Sequence, residues 1–301
     1  MKTLQLAFVL FIAFSHFAFA DAKTDDSELE KRKAAVKKLV EGLKPKQGKI
    51  EIHSGLATVN VSPKFKFLES KDADTVVVKL WGNPPGNKAI GLLYPASGGL
   101  FGTNSWAVIF HYEEDGHVKD DDANSIDYQK MLVEMKEGAQ QANKERVKEG
   151  YPAVDIIGWA APPRYDSATH KLYWAKELKF GDSEENTLNY NLRMLGRKGV
   201  LILNVVAPMS QLGDVEAAAP EILSMVDFNA GERYADFKPG TDKMATYGIA
   251  ALVAGGVAAK MGLFKGLLIA LLAAKKFIVI AFIAIGGFIK KLFSGRRSND
   301  G

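Results

Sequence analysis

KLYWAKELKF (residues 171–180), TLNYNLRML (187–195) and VLILNVV (200–206) decide the fold. Each reads as a β-strand, and Gly196-Arg197-Lys198-Gly199 is a tight turn between the last two. A strand at 154–159 precedes them. Short connections favour an antiparallel sheet, because parallel neighbours need a long crossover. Upstream, 89–94 and 106–112 read as strands. Residues 49–53 and 56–61 alternate apolar and polar around Ser54-Gly55, a hairpin signal. Ser27 and Glu30 form a capping box for a helix whose face carries Leu29, Val36, Leu39, Val40 and Leu43. A long helix spans 125–148, with Tyr128, Met131, Leu132, Met135, Ala139, Ala142 and Val147 on one face. Another spans 210–226, with a bend possible at Pro220. Residues 65–81 stay open: Val76-Val77-Val78 favours a strand, Lys71-Asp72-Ala73-Asp74 a helix start. The expected class is α+β: a mainly antiparallel sheet packed with three to four helices, then a polar linker over 229–243 and a C-terminal transmembrane helix.

Both ends point to a membrane. Met1-Lys2, an apolar run over 4–14 and Ala18-Phe19-Ala20 have the form of a secretory signal peptide cleaved after residue 20. Residues 246–293 contain no Asp, Glu, Asn or Gln, and the chain closes on Gly295-Arg296-Arg297 before its last residues. The expected organisation is a signal peptide (1–20), an exported domain (21–245), a transmembrane anchor (246–274) and a basic, apolar tail (275–301), interfacial and then cytoplasmic. The positive-inside bias places the main domain in the periplasm and the C-terminus in the cytoplasm of a single-pass inner-membrane protein. Ala250, Ala254, Ala258, Gly262, Gly266, Ala270 and Ala274 fall at every fourth position. On a helix they form a small-residue ridge, suited to a second copy of the chain or to packing within it.

The 301 residues include no Cys, which excludes disulfides, thiolate chemistry and a lipid-modified cysteine. The net charge of +4 is unevenly placed: residues 21–245 carry −4 and residues 246–301 carry +7. An acidic exported domain argues against nucleic-acid binding, while the basic tail suits anionic lipid headgroups of a bilayer.

Candidate chemistry is sparse. His111, Asp115, His117, Asp120 and Asp122 are the densest set of possible metal ligands. The EF-hand pattern fails there, since Met131 stands where the closing Glu belongs. The alternative is a solvated loop whose carboxylates cap the next helix. His170 lies in a turn before the strand at 171. No G-x-S-x-G elbow, Walker loop, H-E-x-x-H or C-x-x-C occurs, and no cofactor is expected. Trp81, Trp159, Tyr165 and Trp174 could line an aromatic cleft for sugar or peptide, or serve as core.

A specific resemblance rests on Trp81-Gly82-Asn83-Pro84-Pro85-Gly86, Asp155-Ile156-Ile157-Gly158-Trp159-Ala160, Thr169-His170-Lys171-Leu172-Tyr173-Trp174, Leu188-Asn189-Tyr190 and Ala207-Pro208-Met209-Ser210. With these motifs the chain resembles, over nearly all of residues 25–275, a bacterial membrane-anchored family catalogued as domain of unknown function 2167. The resemblance implies a signal peptide, an exported domain and a C-terminal anchor; it implies no activity and no site residues. Residues 179–228 are more weakly similar to the end of PsbP-like sandwiches. The expected function is a membrane-anchored periplasmic binding or scaffolding module of the bacterial envelope, with an envelope protein or glycan as partner. The alternatives are an envelope hydrolase using the Asp/His-rich loop or His170, and a membrane-remodelling protein acting through its tail.

Overall fold

The computed structural model describes residues 26–83, 88–100 and 105–255. In chain order the elements are α1 (Asp26–Glu41), β1 (Gly48–Ile52), β2 (Ala57–Val61), β3 (Phe65–Glu69), α2 (Ser70–Asp74), β4 (Gly91–Pro95), β5 (Ala107–Glu113), α3 (Tyr128–Lys148), β6 (Val154–Asp166), β7 (Lys171–Phe180), β8 (Thr187–Leu195), β9 (Val200–Pro208), α4 (Leu212–Met225), β10 (Val226–Phe228) and α5 (Ile249–Ala254). Seven strands form one sheet in the order β3-β4-β5-β9-β8-β7-β6, and β1-β2-β10 form a second. Every strand pair is antiparallel.

Strand alternation gives the large sheet two buried faces. Phe67, Leu93, Phe110, Leu188, Leu192, Leu203 and Val205 pack on the small sheet and α4, through Val59, Val215, Ile222 and Phe228. The opposite face carries two separate clusters. Leu68, Leu92, Ile109 and Val206 meet Val76, Val77 and Leu80, with Leu39 and Val40 of α1 over them. Leu172, Trp174, Leu195, Val200 and Ile202 meet Met131 of α3 and Ile249, Leu252 and Val253 of α5. Each fully buried Leu, Val, Ile or Phe contributes roughly 1.5–3 kcal/mol, so these three clusters dominate the stability. The result is a layered, antiparallel α+β sandwich with five α-helices among the described residues, where the sequence suggests three to four before the expected transmembrane helix.

Several expectations need correction. Residues 65–81 hold both of the structures that competed for them: β3, then α2 and a π-helical turn, Thr75–Leu80. The β-branched run bends into that turn because Val76 and Val77 are buried there. β6 runs on through Pro162-Pro163, which is possible because it is the sheet's edge strand and its register is irregular at three places. α3 starts at Tyr128, capped by Asp127, whose carboxylate accepts from the amides of Gln129 and Lys130. Val147, in its last turn, is 59% exposed. Polar contacts dock that end instead: Asn143 Oδ1 accepts from Val154 N at 2.7 Å, and Arg146 Nε donates to Pro152 O at 3.2 Å.

The segment 229–243 is no linker. β10 lies just before it, and Tyr234–Asp236 forms a 3-10 turn. Arg197 grips Asp242, and Met244 bridges His117. Gly116, at φ +112°, permits this approach; a Cβ there would stand 2.7 Å from the Met244 carbonyl carbon. The folded unit then continues to Ala254. α5 begins where both Asp122 oxygens accept amide protons, from Ile249 at 2.9 Å and Ala250 at 3.0 Å. Gly255, left-handed at φ +84°, follows it in the position favoured for a helix stop. Residues 246–254 therefore belong to the domain rather than to a span beginning at Thr246. Ala250 and Ala254, expected on the packing ridge, lie against the α3–α5 cluster. Among the described residues no helix is long and apolar enough to cross a membrane. Ala258, Gly262, Gly266, Ala270 and the expected signal peptide lie outside the described residues.

Candidate functional site

Two places among the described residues concentrate polar chemistry. The first gathers around the β6–β7 turn. His170, left-handed at φ +52°, closes that turn, and Tyr165 stands near the end of β6. The Tyr165 hydroxyl donates to Asp120 Oδ2 at 2.7 Å and lies 3.1 Å from His170 Nδ1. A phenol has one proton, so His170 Nδ1 must be the donor in the second contact. The Tyr234 hydroxyl shares its one proton between Val118 O at 3.1 Å and Asp120 Oδ1 at 3.3 Å. Rings stack beside these bonds in the order Phe237, His117, Tyr234, His170, with centroids 4.1, 4.2 and 3.9 Å apart. Burial alone would raise the Asp120 carboxyl, but hydrogen bonds from Tyr165, its own backbone and Tyr234 outweigh it and hold it below the usual range. Burial, then the Asp120 carboxylate, pushes both phenols well up, so both stay protonated. Burial lowers His117 against backbone groups of Gly196 and Arg197, which favours the neutral imidazole.

This cluster unites four residues singled out from the sequence, Asp120, His117, Tyr165 and His170. It does not unite the rest. His111 sits within β5, its Nδ1 3.2 Å from Lys88 O. Asp115 accepts from the Tyr247 hydroxyl at 3.0 Å, and Asp122 caps α5. Among the described residues no three His, Asp or Glu side chains are placed to hold a metal ion. The proposed ligand set is thus dispersed: Asp115, Asp120 and Asp122 are each turned to a different partner. The aromatic cleft is also divided. Trp81 is buried in the cluster under α1. Trp174 and Trp159 belong with Tyr165 to the cluster under α3 and α5. Trp159 Nε1 donates to Tyr128 O at 3.1 Å.

The second place is a polar strip between the two helix-side clusters, and it went unnoticed in the sequence. Strand register puts Lys176 opposite Asn189, then Trp174 opposite Asn191 and Asn204, then Arg193 opposite Ile202 and His111. These rows step diagonally across β7, β8, β9 and β5. Arg193 Nη1 donates to Asn204 Oδ1 at 3.0 Å and Leu192 O at 3.1 Å, and Nη2 donates to Asn191 Oδ1 at 3.2 Å. Its guanidinium lies over the Trp174 ring, 4.9 Å from the centroid. Asn191 Nδ2 turns to Asn189 Oδ1 at 2.9 Å. Burial pushes Arg193 down to about 10. Burial first, and the Arg193 charge second, push the Lys176 ammonium down to about 8. Burial pushes His111 down to about 4, so its ring is neutral at pH 7. The sequence signal is Asn189-x-Asn191-x-Arg193 at alternate positions of a central strand, where a sheet covered on both faces calls for apolar side chains.

Fold and site together define a layered α+β domain whose helix-side face is divided by a cationic, amide-rich strip. The chain belongs to the family described as protein of unknown function (DUF2167), whose family model matches residues 44–286. No curated protein matches it. Two solved structures share a weak likeness. The solution structure of cyanobacterial PsbP (CyanoP) from Synechocystis sp. PCC 6803 has TM-score 0.34 and 8% identity, over 60% of this chain and 91% of that one. The Saccharomyces cerevisiae Ran-binding protein Mog1p has TM-score 0.30 and 11% identity, over 62% and 96%. Likeness at that level says nothing of what this domain binds.

Proposed function

We propose that this protein is an exported binding module, held at a membrane by the segment after Gly255, and that its His/Asp cluster is architectural. One observation carries the second half: both Asp120 oxygens receive tyrosine hydroxyls, and both neighbouring imidazoles are faced by rings. A general base needs a substrate proton within reach, and Asp120 is already the acceptor of two. Neither imidazole is hydrogen-bonded to a serine, threonine or lysine side chain among the described residues. The signal-like start and the basic, apolar tail support the placement, with the domain outside and Arg296-Arg297 inside.

The test is complementation of a strain lacking the gene by Asp120→Asn and His170→Gln. Each removes one hydrogen-bonding group and should cost about 1–2 kcal/mol of stability. Both should complement once abundance matches wild type. Failure to complement at full abundance and unchanged melting would instead support the hydrolase reading.

A further inference from the structure

We propose that the strip formed by Lys176, Asn189, Asn191, Arg193, Asn204 and His111 binds a small hydroxylated oxyanion, a carboxylate or phosphate carried beside O–H groups. This inference rests on the binding-module reading and names its ligand class.

Hydrogen-bond accounting supplies the first support. Arg193 uses three of its five N–H groups, leaving Nε and one Nη2 proton to donate. Both amide oxygens of Asn191 and Asn204 face Arg193, which fixes the two amides and turns the Asn204 NH₂ elsewhere. Trp174 Nε1 is buried without an acceptor, and Lys176, partly buried beside Arg193, adds an ammonium with three N–H donors. The remaining capacity of the strip is therefore donor capacity, and acceptor-rich anions satisfy donors. One acceptor stands out. Lys88 O can only accept, so His111 Nδ1 carries the proton and Nε2 presents a lone pair. That Nε2 is buried with no partner, and His111 lies in the same cross-strand row as Arg193. An O–H beside the anion would complete it.

Charge supplies the second support. Two cations lie on one sheet face, and neither makes an ion pair among the described residues. Glu113, whose charge favours the charged Arg193, is exposed at the end of β5. Partly burying like charges without a counter-charge costs stability, and a bound anion offsets that cost. Preorganisation is the third. Two amides, a carbonyl and the Trp174 ring hold the guanidinium plane, so its fork can meet an oxyanion with little further ordering.

The experiment uses the full chain in lipid nanodiscs. Glucuronate, glucose and inorganic phosphate are titrated by calorimetry, and the probe is followed by NMR. Wild type should bind glucuronate saturably, and glucose about tenfold or more weakly. Arg193→Met and Lys176→Met keep the apolar stems and remove the charges; each should weaken glucuronate binding about tenfold or more. Lys198→Met, which removes a cation paired with Glu232 elsewhere, should leave it unchanged. If Arg193→Met fails to fold, Lys176→Met alone decides. No saturable binding of glucuronate or phosphate, or equal binding by the Met variants, overturns the site and leaves the binding-module reading standing. Phosphate binding as tightly as glucuronate supports the oxyanion site, since phosphate at neutral pH carries an O–H of its own for His111 Nε2. Conversion of bound glucuronate overturns the non-catalytic reading but supports the site.

Discussion

Arg197 and Asp242 form a two-pronged pair, Nε to Oδ2 at 2.7 Å and Nη2 to Oδ1 at 2.8 Å, with side chains 15% and 5% exposed. Lys238 N adds a third donor at 2.8 Å. The Arg197 hydrogen bonds, working against burial, hold the Asp242 carboxyl at about 2, below its ordinary 3.8. A depressed folded-state value means that the pair stabilises fully above about pH 4 and loses this as pH falls towards 2. Asp242→Asn should therefore melt a few degrees below wild type at pH 7, and the two melting curves should converge between pH 4 and pH 2. An equal gap at pH 7 and pH 2.5 would remove the pair from the account. Nothing in the sequence exposes this contact. Arg197 sits in a turn, Asp242 in a stretch that reads as linker, and no local pattern joins residues 45 positions apart.

At the scale of elements, α5 is the most exposed to a single change. It has six residues, too few to persist on propensity, and it depends on burial and on Asp122 for its first two amides. Asp122→Ala should cost about 1 kcal/mol, as loss of an N-cap does, and should speed amide exchange at Leu252 and Val253 before the sheet is affected. Unchanged exchange there would show that packing alone holds the helix. β7 and β8 were legible residue for residue, since alternation and turn signals are local. β10, with three residues, and the π-helical turn were not, because pairing with β2 and burial of Val76 and Val77 decide them. The same limit hid α5: Ile249-Ala-Ala-Leu-Val-Ala reads alike as a buried helix or as the start of a span. Of the candidate site, Asp120, His117, Tyr165 and His170 were found by residue type. The polar strip was written in Asn189-x-Asn191-x-Arg193 but shows its meaning only when β7, β9 and β5 flank it.

For the whole molecule, the boundary of the folded unit is a sharp prediction. A chain ending at Gly255 should keep the wild-type melting temperature and leave the membrane fraction. A chain ending at Ala245 loses α5, hence Ile249, Leu252 and Val253 from a cluster that includes Trp174 and Val200. Each lost side chain is worth roughly 1.5–3 kcal/mol, together comparable with the whole stability of a domain. It should be recovered aggregated or degraded. Equal melting of the two shortened chains would put α5 outside the cooperative unit.

The position of α5 also sets a timetable. β2 completes its sheet only with β10, and Val118 belongs to a cluster completed by a helix at residues 249–254. At 5–20 residues per second, roughly ten to fifty seconds pass between the first residue and the one that closes the core. Through that interval the nascent chain carries uncovered strands. A chain that crosses a membrane while being made would thus depend on holding proteins on the far side until residues 249–254 emerge.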